Sequence, residues 1–128
     1  MTHGLILFAH GARDPRWAAP FEAVSAAVRA ARPGLPVRLA FLEFMAPTLP
    51  EAGGALVAAG CSHLTVLPMF LGAGGHVRQD LPRLLDGLRA AHPGLQVVLQ
   101  PAVGEIDSVV AAMAAAALAR LPAAEPAA

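Results

Sequence analysis

This chain is poor in the residues that most often announce chemistry. It has one cysteine, Cys61, in 128 residues. That excludes an internal disulfide and any centre built on several cysteines, and leaves Cys61 as a reduced, buried apolar side chain. Tyrosine is absent, so no phenol is available to a reaction. Lysine is absent too: all nine basic residues are arginines, balanced by nine acidic ones. A chain of zero net charge lacks the broad basic surface that nucleic acid requires. No apolar run approaches the ~18 residues of a membrane span, and the N-terminus lacks the basic region of a secretory signal. The expected location is therefore the cytoplasm. There is no Walker-type phosphate loop, and Gly72-Ala73-Gly74-Gly75 does not follow the first strand as a dinucleotide fingerprint would.

What the chain has in quantity is apolar surface, 56% of its residues. Its length suits one domain that buries a core unaided. Four continuous apolar runs, at 4–9, 36–42, 63–68 and 95–100, read as strands covered on both faces. Between them lie helical patterns. Trp17, Phe21, Val24, Val28 and Ala31 share one face of the first, which starts near Pro20 after an Asp14-Pro15 cap. Thr48-Leu49-Pro50-Glu51 opens the second as a capping box, and Gly60 stops it. The third is expected from about Asp80 to before Pro93, with Leu81, Leu84, Leu85 and Leu88 inward. The fourth, over 108–121, is expected to turn Val109, Val110, Met113, Ala117 and Leu121 inward. Residues 1–121 then form a single α/β domain and 122–128 a flexible tail. The alternation predicts a parallel sheet with helices on both faces, flavodoxin-like in order 2-1-3-4.

That order gives the site. Ligands of such sheets bind at strand carboxyl ends, where the crossovers diverge. His10 follows the first strand, and His76 lies in the loop after the third. Glu43 follows the second, between Leu42 and Phe44. Neutral imidazoles aimed into one crevice suit a divalent metal or proton transfer. A carboxylate in an apolar segment must be solvated, paired or ligating. Each residue also has a plain reading, as a turn or surface group. Glycines 72, 74 and 75 beside Met69-Phe70-Leu71 leave room for a flat, bulky ligand or form an ordinary turn. Arg13, Arg16 and Arg78 stand near the same rim as candidate carboxylate or phosphate binders, or as solvated charges.

Three segments carry a resemblance. Leu7-Phe8-Ala9-His10-Gly11-Ala12-Arg13-Asp14-Pro15-Arg16, Ala40-Phe41-Leu42-Glu43-Phe44-Met45-Ala46-Pro47-Thr48-Leu49 and Leu67-Pro68-Met69-Phe70-Leu71-Gly72-Ala73-Gly74-Gly75-His76-Val77 resemble, in order, the motifs of the CbiX group of class II chelatases. The resemblance implies a chelatase-like fold and insertion of Co²⁺ into sirohydrochlorin in cobalamin biosynthesis. Relatives insert iron or nickel. It also implies a small homodimeric form without an organic cofactor. His10 and His76 become the metal ligands and catalytic residues, with Glu43 at the family's acidic position. Met69, Phe70, Leu71, Gly74 and Gly75 become the macrocycle's seat, and Arg13, Arg16 and Arg78 partners for its carboxylates. Ala12 replaces a common serine, so no hydroxyl is available there. Two other readings compete. A histidine phosphatase would carry arginine before His-Gly, where this chain has Ala9. A carrier would bind tetrapyrrole or metal without joining them.

Overall fold

The computed structural model describes residues 2–72 and 74–123, and the backbone alone at His76. The tail expected over 122–128 lies, from residue 124, outside the described residues. Strand β1 is Thr2–Ala9, β2 Val37–Phe41, β3 Cys61–Pro68 and β4 Gln96–Leu99. Helix α1 is Ala19–Ala31, α2 Leu49–Ala58, α3 Gly75–Ala91 and α4 Asp107–Ala119. Short 3-10 turns at Pro15–Ala18 and Val103–Glu105 precede α1 and α4. The four strands are all parallel, in the order β2-β1-β3-β4. The switch point therefore falls between β1 and β3.

Alternation along each strand divides the core. On one sheet face Ile6, Phe8, Leu64, Val66 and Val97 pack against Leu49, Ala52 and Leu56 of α2 and Leu81, Leu85 and Leu88 of α3. Burying each such side chain contributes roughly 1.5–3 kcal/mol. The two helices meet where Leu88 lies over Gly53: a Cβ there would come within 2.5 Å of the Leu88 Cδ1. On the other face Ala9 and Phe41 pack with Ala18, Trp17, Phe21, Leu39 and Met69. Helix α1 covers β1 and β2 there.

The local signals act as their chemistry predicts. Asp14 accepts from the Arg16 amide and caps the first 3-10 turn. Thr48 and Glu51 form the reciprocal capping box of α2. Gly60, at φ +100°, ends it in the left-handed region. One device occurs twice. Arg29 of α1 donates to the Val37 carbonyl at 2.7 Å, and Arg89 of α3 to the Val97 carbonyl at 2.9 Å. Each arginine ties the end of a helix to the strand that follows.

Three expectations need correction. Helix α3 begins at Gly75, not near Asp80, and runs through Pro82. Glycine and proline read as breakers locally. Here Val77, Leu81, Leu84, Leu85 and Leu88 present one apolar stripe to the core, and that packing carries the helix past the missing Pro82 amide. His76 thus sits in the first turn of a helix rather than in a loop. Helix α4 forms, but none of its residues is buried, so Val110, Met113, Ala117 and Leu121 do not face inward and Val109 is only half-covered. Strand β4 is not covered on both faces either, because Val98 and Leu99 are exposed at the sheet edge.

Candidate functional site

Pairing of β1 with β2 continues past both strand ends. The Leu42 amide donates to the Ala9 carbonyl at 3.0 Å and the Glu43 amide to the His10 carbonyl at 3.1 Å. So close an approach has a condition at the next residue. Gly11 has φ +94°, and a Cβ there would collide with the Glu43 carbonyl oxygen. Glycine alone meets both demands. The backbone thereby brings two distant side chains together: His10 Nε2 lies 2.8 Å from Glu43 Oε1. The pair is about half exposed, at 45% and 48% of side-chain surface, so it stands on an open rim.

The wall behind His10 is Phe70. Their ring centroids are 6.5 Å apart, edge to face, and Phe70 meets Phe8 in the same manner at 5.9 Å. Phe70 is buried and its carbonyl accepts from the Gly104 amide at 3.0 Å. Met69 is half-buried in the second core cluster, and Leu71 is exposed. Of the three expected seat residues, Phe70 backs His10, Met69 packs half-buried at the second cluster and Leu71 is exposed. Gly74 caps α3 and Gly75 is its first residue. A Cβ at Gly72, Gly74 or Gly75 would meet nothing, so packing does not demand glycine there.

His76 enters the site by its backbone. The sheet order puts β3 beside β1, so the first turn of α3 lies at the same end of the sheet as His10. Its side chain lies outside the described residues. Among the described residues, no three His, Cys, Asp or Glu side chains gather as a metal cage. The described donors of the rim are His10 and Glu43.

The arginines divide. Arg13 lies over the ring of Phe44, 4.6 Å from its centroid, next to Glu43. Phe44 has φ 66°, unusual for a side-chain-bearing residue, and is exposed. Its place at the rim was not read from the sequence, because nothing in an apolar run signals a left-handed backbone. Arg16 is committed locally: its guanidinium contacts Asp14 at 2.8–3.2 Å. That contact holds the Asp14 carboxyl below its ordinary range. Arg78 lines a cavity of about 390 Å³ with Pro68, Phe70, Val77, Leu81 and Leu99. Neither His10 nor Glu43 belongs to that cavity, which meets the rim only at Phe70. The cavity is open to solvent on one side. The His10–Glu43 pair opens instead onto the rim.

The other histidines lie elsewhere. His3 and His63 stack at 6.0 Å, near the start of β1 and β3, with His3 bonded to Thr65 and His63 to Ser62. His92 caps the end of α3.

Comparison with known proteins follows the same outline. The CbiX family model matches residues 4–119. A sirohydrochlorin cobaltochelatase of Saccharolobus islandicus is 37% identical over 82 residues, 64% of this chain and 62% of its own length. One of Methanococcus aeolicus is 28% identical over 81 residues, 63% of this chain and 57% of its own. The matches thus span about 60% of these curated relatives. A solved CbiX protein of cobalamin biosynthesis from Marinobacter aquaeolei superposes with TM-score 0.82 at 29% identity, covering 91% of this chain and 95% of that one. The sirohydrochlorin chelatase SirB of Bacillus subtilis subspecies spizizenii, solved with cobalt, shares the fold: TM-score 0.81 at 22% identity, covering 94% of this chain and 51% of that one. SirB from Bacillus subtilis has also been solved with Fe³⁺.

Proposed function

This chain belongs to the CbiX family, and from that premise we propose that it is a sirohydrochlorin chelatase whose metal is Co²⁺. The observation that carries the reading is the 2.8 Å approach of His10 to Glu43 at a strand-end rim. Two ligands at right angles on one ion, with bonds of ~2.1 Å, stand ~3.0 Å apart. The pair therefore needs almost no movement to take an ion as neighbouring ligands, with His76 as the further imidazole. Ligation through Nε2 requires that nitrogen to be free of its proton.

The ring lies against the rim with its face toward His10, backed by Phe70 and edged by Leu71 and the glycines before α3. Arg13, carried on Phe44, and Arg78 pair with its carboxylates. Insertion exchanges one divalent ion for two pyrrole N–H protons. The Glu43 carboxylate and the freed imidazole accept those protons and pass them to water from a half-exposed position. The metal is a substrate, and this exchange needs no nucleotide or redox cofactor. Cobalt is favoured by the similarity to sirohydrochlorin cobaltochelatases, while imidazole and carboxylate donors also serve Fe²⁺ and Ni²⁺. The working unit is a homodimer in the cytoplasm.

The test is anaerobic metal insertion into sirohydrochlorin, followed by absorbance and compared with the spontaneous rate for each of the three metals. The expected result is acceleration with Co²⁺ above Fe²⁺ and Ni²⁺. His10→Ala, His76→Ala and Glu43→Gln should each fall toward background. Wild-type rates in all three variants would remove the assignment. Binding of ring and metal without acceleration would make the protein a carrier.

A further inference from the structure

Two of the histidines that the rim does not use face each other at the opposite end of the sheet. Thr2 pairs with Cys61, so regular parallel pairing would set His3 beside Ser62. The register slips there by one residue, and His3 pairs with His63 instead. A bulge of this kind re-aims side chains and is rare between parallel strands. Its result is a pair of imidazoles with ring centroids 6.0 Å apart and planes inclined by 26°. The skipped residue also contributes, because the Ser62 hydroxyl lies 2.9 Å from His63 Nδ1. On the other ring, His3 Nε2 lies 2.7 Å from the Thr65 hydroxyl.

A metal-ligating imidazole is ordinarily held at its second nitrogen by an oxygen, which fixes the ring and its tautomer. Both rings are held in that way here, which leaves His3 Nδ1 and His63 Nε2 to donate a lone pair. His3 is exposed and His63 half-buried, so an ion reaches them from solvent. Two imidazoles on one tetrahedral ion, with bonds of ~2.1 Å, put their ring centroids ~5 Å apart, a closure of ~1 Å from the observed spacing. Among the described residues no third His, Cys, Asp or Glu joins them, so water completes the shell. Such a donor pair suits Zn²⁺, Cu²⁺, Ni²⁺ or Co²⁺ and not Mg²⁺ or Ca²⁺, which take oxygen.

We propose that His3 and His63 form a second metal site, which binds one imidazole-preferring divalent ion through two nitrogens. Surface polarity accounts for two histidines near strand starts, but not for the slipped register that sets one opposite the other. The site is separate from the rim. His10 follows the far end of the same strand, roughly 20 Å away at ~3.3 Å per residue. An ion held here is therefore not shared with His10 and Glu43. The proposal needs no tetrapyrrole and stands apart from the function proposed above.

The test titrates Zn²⁺ into the full chain carrying His10→Ala and His76→Ala, which removes both imidazoles of the rim. Calorimetry should give one ion per chain. Imidazole nitrogen resonances should move at His3 Nδ1 and His63 Nε2, and stay in place at His92, which lies beside Gly54 of α2. Thr65→Val keeps both ligands and the strand, and should weaken binding roughly ten- to hundredfold. His3→Ala and His63→Ala should each weaken it at least as much. No binding, binding indifferent to these variants, or a shift at His92 in place of the pair would overturn the site. In the otherwise wild-type chain His3→Ala should leave metal insertion at the parent rate, and a loss there would overturn the separation from the rim. Zn²⁺ binding is read without sirohydrochlorin, so a parent chain that fails to insert metal counts against the chelatase reading alone.

Discussion

Replacing Gly11 with alanine tests whether backbone contact between two strand ends holds the His10–Glu43 pair. Two costs are separable. Gly11 sits at φ +94°, and a left-handed conformation costs an L-residue about 1–2 kcal/mol. The new Cβ would also collide with the Glu43 carbonyl oxygen, a backbone atom that cannot rotate aside. Relief requires the two loops to part, which breaks the Glu43 amide bond to the His10 carbonyl and costs about 1 kcal/mol more. The total is about 2–3 kcal/mol. Gly60 supplies the control, because it has φ +100° and nothing within 4 Å of its virtual Cβ. Gly60→Ala should cost only the conformational part, about 1–2 kcal/mol. With a urea slope of about 2 kcal/mol per M, the midpoint should fall by about 1–1.5 M for Gly11→Ala and about 0.5–1 M for Gly60→Ala. Metal insertion should collapse in the first variant and persist in the second. Equal midpoint losses, or full activity in Gly11→Ala, would refute the proposed coupling.

Other consequences follow from the core and the charges. Leu88→Ala removes the side chain that fills the space over Gly53, and should destabilise by about 2–5 kcal/mol in urea unfolding while leaving the far-ultraviolet spectrum native. Burial pushes the Cys61 thiol above its ordinary range, so a thiol reagent at neutral pH should label it slowly in the native state and at once in denaturant; fast native labelling would show that this end of β3 opens. Arg16 depresses the Asp14 carboxyl, so their pairing stabilises the fold above the unfolded carboxyl range and is lost as pH falls through the lower, folded value. The urea midpoints of wild type and Asp14→Asn should therefore converge in strong acid, with a small gap at neutral pH because both groups are exposed.

Much of this fold was legible because its signals are local. Thr48 with Glu51, Asp14 before Pro15, and Gly60 each satisfy orphan groups within a few residues, and each acts as its chemistry predicts. His10 and Glu43 were legible as neighbours through strand order, since β1 and β2 pair side by side. The start of α3 was not, because Gly74, Gly75 and Pro82 oppose a helix locally and only the stripe from Val77 to Leu88 overrides them. The apolar residues of α4 were legible as a face to be buried, but the structure leaves them uncovered. Phe44 as a support for Arg13 depends on a positive φ that no residue pattern encodes.

By itself the sequence determined the alternation of strands and helices and the end of the sheet that bears the histidines. Periodicity and caps act over a few residues, and right-handed crossovers leave few ways to connect them. Only the tertiary structure decided that His10 touches Glu43, that Arg16 is tied to Asp14, and that α4 stands uncovered. Those are matters of ångströms and of packing, where one glycine's missing Cβ sets the outcome.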